Sequence, residues 1–174
     1  EILVKGRIAA SAAVLPARRI SHDAGSNQPA PFAPVPIDEV VSRIEKDRPA
    51  VVFAPHVETS AGMMLPDDYI KAVASAVHAV GGLFVLDCVA SGTYWVDMKA
   101  LGVDVLLSAP QKGWSASPCS GLVMLSDAAV ERVAETDAAS FVCDVKKWLG
   151  IMQAYENGGH AYHATMPTDA LAVF

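Results

Sequence analysis

At 174 residues, 52% of them apolar and 18% charged, the chain is long enough to bury a core and too apolar for a disordered segment. A formal net charge of −6, with basic residues gathered only in short doublets such as Arg18-Arg19 and Lys146-Lys147, argues against a general nucleic-acid or membrane-surface role. No apolar run reaches the roughly 20 residues of a spanning helix, and three cysteines without C-x-x-C spacing point to free thiols in a reduced, cytoplasmic compartment.

Glu1-Ile-Leu-Val-Lys5 lacks the arrangement of a signal peptide, and both ends read as cuts through a larger protein. Ala13-Val-Leu15 is a short strand candidate. Residues 22–36, carrying Pro29, Pro31, Pro34 and Pro36, read as a loop. The spacing of Val40, Val41 and Ile44 predicts a helix over 37–46, with acids early and Lys46 late. Ala50-Val-Val-Phe-Ala54 then reads as a buried strand.

After the loop His56–Gly62, Pro66 opens a helix that runs to about Val80, where Gly81-Gly82 stops it. Leu83–Asp87 is the next strand. A short helix near Asp97–Leu101 leads to a strand at Val103–Leu107, and Gly121–Leu125 is a further strand. Helices follow over 127–133 and 144–155, with an apolar helix start after Pro167. Strands alternating with helices of this length imply an α/β fold, a three-layer α/β/α arrangement around a mostly parallel sheet. Such sheets bind ligands at the carboxyl ends of their strands, so His56–Gly62, Asp87–Gly92 and Ser108–Lys112 are expected to share one rim.

Lys112 closes Ser108-Ala-Pro-Gln-Lys112 just past a buried strand, and Asp87 ends the strand before it. An amine and a carboxylate so placed can grip one ligand from two sides. The Lys would form a Schiff base and the Asp would hold a protonated ring nitrogen, a pairing that suggests pyridoxal phosphate. Pro110 stiffens the approach and Gly113 permits a sharp bend afterwards. The alternatives are an ordinary surface lysine for Lys112, and a helix N-cap or metal ligand for Asp87. A carboxylate after four apolar residues is nonetheless expensive unless it meets a partner.

In His56-Val-Glu-Thr-Ser-Ala-Gly62, Thr59 and Ser60 offer hydroxyls and Gly62 permits close backbone approach. His56 reads as a satisfied structural histidine, and Glu58 as a side chain that orients the loop. Tyr162 and Thr165, within His160-Ala-Tyr-His-Ala-Thr-Met-Pro167, supply hydroxyls suited to phosphate oxygens. The His160/His163 pair has no Cys, Asp or Glu at ligand spacing, so no metal site is expected. Neither G-x-G-x-x-G nor G-x-x-x-x-G-K-[ST] occurs. Cys119 has no evident base and reads as a buried thiol.

Together these residues resemble the class V aminotransferases of the fold-type I pyridoxal phosphate enzymes, especially the alanine–glyoxylate and serine–pyruvate branch. Four segments carry the resemblance, in the family's order: His56–Gly62, Val85-Leu-Asp-Cys-Val-Ala-Ser-Gly92, Ser108–Lys112 and Tyr162–Pro167. It extends from about Val40 to Phe174. The resemblance implies that Lys112 forms the internal aldimine and later shuttles a proton between the substrate's Cα and the cofactor's C4′ carbon. It further implies that Asp87 pairs with the pyridine nitrogen, Thr59 bonds the phenolic oxygen and Gln111 contacts the phosphate. Tyr162 and Thr165 would reach the phosphate of the neighbouring subunit's cofactor, making a homodimer part of the site.

The chain departs from the family at Pro110, where a small residue is usual. It departs again at Trp114-Ser-Ala-Ser-Pro-Cys119, where a Pro-Pro-Gly-like stretch is usual, and Trp114 is expected near the substrate. The family's N-terminal phosphate loop and its C-terminal small domain, with an Arg for the substrate carboxylate, are not found in the sequence. Residues 1–174 are therefore expected to be the central part of the cofactor-binding large domain. The implied activity moves an amino group between an amino acid and a 2-oxo acid. A lyase of the cysteine desulfurase type is second, because that branch usually has His before the lysine where Gln111 stands. A non-catalytic piece of the same fold is third, and intact Lys112 and Asp87 weigh against it.

Overall fold

The structure is a computed structural model that describes residues 8–20 and 29–174. Two short strands come first, β1 (Arg18–Arg19) and β2 (Phe32–Ala33), paired antiparallel. The strand expected at Ala13–Leu15 does not form. Pro16 interrupts the donors a ladder needs, and Leu15 packs against the core instead. Of the loop expected over 22–36, residues 22–28 lie outside the described residues, and Phe32–Ala33 is strand rather than loop.

Helix α1 (Ile37–Asp47) buries Val40 and Ile44, one turn apart, with Asp38 and Glu39 in its first turn and Lys46 in its last. It is followed by β3 (Val51–Pro55), the short hairpin β4 (Val57–Glu58) and β5 (Met63–Met64), and α2 (Asp67–Ala79). Ile70, Val73, Ala74 and Val77 form the buried stripe of α2, and Gly81 at φ 78 carries the chain out of it. Next come β6 (Leu83–Asp87), α3 (Met98–Leu101), β7 (Val105–Ser108) and β8 (Leu122–Leu125). The chain ends with α4 (Asp127–Ala134), α5 (Val145–Glu156) and α6 (Thr168–Val173). None of the described helices is long and apolar enough to cross a membrane.

The main sheet runs β3-β6-β7-β8, with the first two pairings parallel and the last antiparallel. Its registers align Val52 with Phe84, Ala54 with Leu86, and Leu86 with Leu106, and this face packs against α1, α2 and α3. Phe84 and Leu86 are fully buried. On the opposite face Val51 and Phe53 stay 45% and 56% exposed, so the third layer of the α/β/α arrangement is incomplete over β3.

Asp104, 4% exposed, locks this architecture. Its Oδ2 accepts the Phe84 N–H at 2.8 Å and lies 2.8 Å from His78 Nε2; its Oδ1 accepts the Ser126 hydroxyl at 3.1 Å. Ser126 in turn caps α4 by accepting the Ala129 N–H at 3.2 Å. One buried carboxylate thus ties α2, β6 and α4. Asp104→Ala leaves the buried Phe84 donor unpaired, and a loss of about 2–4 kcal/mol is expected in urea unfolding. An unchanged unfolding midpoint would remove Asp104 from this role.

Candidate active site

β3, β6 and β7 run parallel, so their carboxyl ends lie along one edge, where Pro55 pairs with Asp87 and Asp87 with Leu107. The backbone carries the alignment one step further. His56 N–H donates to Asp87 O at 2.9 Å, and Cys88 N–H to Leu107 O at 2.8 Å. The three loops expected on one rim are therefore joined at their roots.

Two of them are joined again at their crests. Gly92 and Gly113 meet backbone to backbone, so closely that a Cβ on Gly92 would lie 3.0 Å from Gly113 Cα. A Cβ on Gly113 would lie 2.9 Å from Thr93 N. Gly113 lies inside the turn closed by Ser115 N–H to Lys112 O at 3.1 Å, as the sequence leads one to expect, and the close approach of Thr93 and Gly92 adds a second reason for a glycine there.

Asp87 is half-buried at the end of β6, and strand alternation puts it on the same face as Val85 and Leu83. Its Oδ1 accepts the Val89 N–H at 2.9 Å. Among the described residues no cation pairs with it and its second oxygen has no donor. Lys112 is exposed, on a turn closed by Ser115 N–H to Lys112 O at 3.1 Å, and it forms no ion pair among the described residues. Behind it Pro110 is fully buried.

Thr59 and Gln111 are exposed on the same rim. Beside Thr59, Glu58 Oε1 accepts both the N–H and the hydroxyl of Ser60, at 3.0 and 2.7 Å. Those bonds hold its carboxyl below the usual range and give Glu58 the loop-orienting role expected of it. Tyr162 and Thr165 lie on the segment between α5 and α6. Their hydroxyls are 3.0 Å from each other, both side chains are exposed, and no hydrogen bond ties them to the rim among the described residues.

His56 is only half satisfied. It is 1% exposed, its Nδ1 lies 2.9 Å from Ser91 Oγ, and its buried Nε2 has no partner. Burial pushes its pKa below the ordinary histidine value. Burial likewise raises the Cys88 thiol, 3.8 Å from His56 Nδ1, which leaves it a poor nucleophile. All three cysteines are free, and Cys119 is buried as expected. His163 Nε2 sits 2.7 Å from Phe141 O, while His160 packs on Tyr155, so the two histidines have separate partners.

Two features of the rim escaped the sequence. One is the Gly92–Gly113 contact, signalled only by a glycine shortly after each chemistry-bearing residue. The other is the edge-on pair Trp95–Trp114, with ring centroids 5.5 Å apart. Trp114 Nε1–H donates to Ser108 Oγ at 2.9 Å.

Residues 6–172 match the family model described as aminotransferase class-V. The chain belongs to the class-V aminotransferases. It is similar to alanine–glyoxylate aminotransferase of Callithrix jacchus, 30% identical over 138 residues that cover 78% of this chain and 32% of that protein. It is also similar to 2-aminoethylphosphonate–pyruvate transaminase of Syntrophobacter fumaroxidans, 29% identical over 140 residues covering 79% and 36%. Among solved structures, alanine–glyoxylate aminotransferase from Nostoc sp. superposes with a TM-score of 0.64 at 27% identity, covering 80% of this chain and 38% of that one. The chain thus spans about a third of the length of the relatives it matches.

Gly113→Ala drives a methyl into the Thr93 backbone, so the two rim loops must part. A loss of about 1–3 kcal/mol in urea unfolding is expected, accompanied by a change in the fluorescence of the Trp95–Trp114 pair. Parent-like stability and emission would show that the loops do not meet there.

Proposed function

We propose that this class-V family member serves pyridoxal phosphate-dependent transamination, exchanging an amino group between an amino acid and a 2-oxo acid. The observation that carries the reading is Asp87 and Lys112 at the carboxyl ends of adjacent parallel strands whose loops touch at Gly92 and Gly113. The donor set fits the cofactor. A protonated ring nitrogen needs a carboxylate that no protein cation has neutralised, and Asp87 keeps one oxygen open beside the Val89 N–H. An aldehyde needs an amine without a carboxylate partner, and Lys112 has none among the described residues.

When bound, pyridoxal phosphate supplies an aldehyde that takes up amino groups and a protonated ring that draws electron density from the substrate's α-carbon. Asp87 would hold the proton on the ring nitrogen, and the Val89 N–H, donating to its Oδ1 at 2.9 Å, aims that carboxylate. The Lys112 amine would hold the cofactor's aldehyde and would serve as the acid–base group that moves a proton at the substrate's α-carbon. Thr59 would donate to the phenolic oxygen, and the Gln111 amide would bond the phosphate.

Tyr162 and Thr165, whose hydroxyls sit 3.0 Å apart, would reach the phosphate on a second copy in a homodimer. On this reading the 174 residues correspond to the central part of the cofactor-binding large domain. Three free thiols suit a reducing, cytoplasmic setting. Gln111 before the lysine, and relatives whose names are transaminases, favour this over a desulfurase-type lyase.

Incubation with pyridoxal phosphate followed by borohydride tests the assignment directly. The pyridoxyl mass is expected on the Lys112 peptide and absent after Lys112→Ala. Label spread evenly over Lys71, Lys99, Lys146 and Lys147 would contradict it.

A further inference from the structure

The loop carrying Lys112 leaves β7 at Ser108 and is closed by two backbone bonds, Ser115 N–H to Lys112 O at 3.1 Å and Ala116 N–H to Pro110 O at 3.0 Å. A third tie crosses the loop between side chains, from Trp114 Nε1–H to Ser108 Oγ at 2.9 Å. Ser108 is 5% exposed and pairs with Leu122 in the β7–β8 ladder, so its hydroxyl is fixed to the sheet. The indole therefore ties the far end of the lysine loop back to a rigid anchor.

The ring of Trp114 makes a second connection. It is half-buried, edge-on to Trp95 at 5.5 Å and to Phe174 at 6.3 Å. Trp95 belongs to the loop that follows Asp87. Immediately after Trp114, Ser115 adopts φ 57, a conformation that non-glycine residues keep only where their surroundings impose it. Because the indole N–H is already engaged by Ser108, it is not free to donate to a ligand. The side chain's work is directed at its own loop.

We infer that Trp114 is a positioning residue for Lys112. Its N–H pins the lysine loop to the end of β7, and its ring, set against Trp95, holds that loop beside the one after Asp87. This rests on the reading of Lys112 as the amine that binds the cofactor's aldehyde.

Trp114→Phe keeps an aromatic ring and removes the donor; Ser108→Ala removes the acceptor; Ser108→Thr keeps the hydroxyl. Each is made in the full chain, exposed to limiting pyridoxal phosphate and borohydride, and read by mass spectrometry as label on Lys112 relative to Lys71, Lys99, Lys146 and Lys147. Melting midpoints are recorded alongside. A drop in Lys112 selectivity of about five-fold is expected for Trp114→Phe and for Ser108→Ala. The double variant is expected to lose no more than either single one, Ser108→Thr to keep parent selectivity, and all to melt near the parent.

Selective label that Trp114→Phe leaves intact overturns the positioning role alone. So does selectivity that falls only in step with the melting midpoint, or single losses that add in the double variant. Absence of selective label in the parent chain overturns the reading of the lysine itself, and the positioning role with it.

Discussion

The rim depends on two backbones that touch. Gly92 and Gly113 sit in loops that leave adjacent parallel strands, and neither position has room for a side chain. Parallel pairing of β6 with β7 brings the strand ends together, yet loops that leave such ends are free to splay. The glycine contact removes that freedom. It fixes the turn that presents Lys112 against the turn that begins at Asp87, and it brings Trp114 and Trp95 within ring contact. A catalytic constellation needs its groups held to a fraction of an ångström, so this closeness has chemical consequences.

Two aspartates illustrate how the fold separates structure from chemistry. Asp104 and Asp87 both border apolar β-strand sequence, Asp87 at the carboxyl end of β6 and Asp104 just before β7. Asp104 is nearly inaccessible and receives the Phe84 amide and the Ser126 hydroxyl, with His78 at hydrogen-bond distance. Its capacity is taken up within the protein. Asp87 is half-buried and receives one amide. A carboxylate with spare capacity at a strand's carboxyl end can serve a ligand; one saturated inside the core cannot. The helices packed on Phe84 and Leu86 give the first its rigidity, and that rigidity supports the second.

What could be read from the sequence follows from range. β6 was legible to the residue, Leu83 to Asp87, because a buried central strand is a continuous apolar run closed by one charge. Helix α1 was legible because Val40, Val41 and Ile44 repeat at helical spacing, and α2 because Pro66 opens it and Gly81-Gly82 stops it. The gathering of three loops on one rim followed from parallel topology. Pairing of Arg18-Arg19 with Phe32-Ala33 was invisible, since two-residue strands carry no periodicity. The Gly92–Gly113 and Trp114–Ser108 contacts were invisible for another reason: each needs the exact path of a turn, which no local pattern encodes. The sequence also named Tyr162 and Thr165 as phosphate contacts, and among the described residues of one chain their hydroxyls meet each other.

The central claim is geometric: an acid and an amine on neighbouring strand ends face one flat heterocycle. A crystal structure of the chain grown with pyridoxal phosphate measures it most directly. The account predicts the ring nitrogen within hydrogen-bond reach of an Asp87 oxygen, with density continuous from the aldehyde carbon to Lys112 Nζ. A ring bound away from Asp87, or those two side chains pointing to opposite sides of the sheet edge, would contradict it.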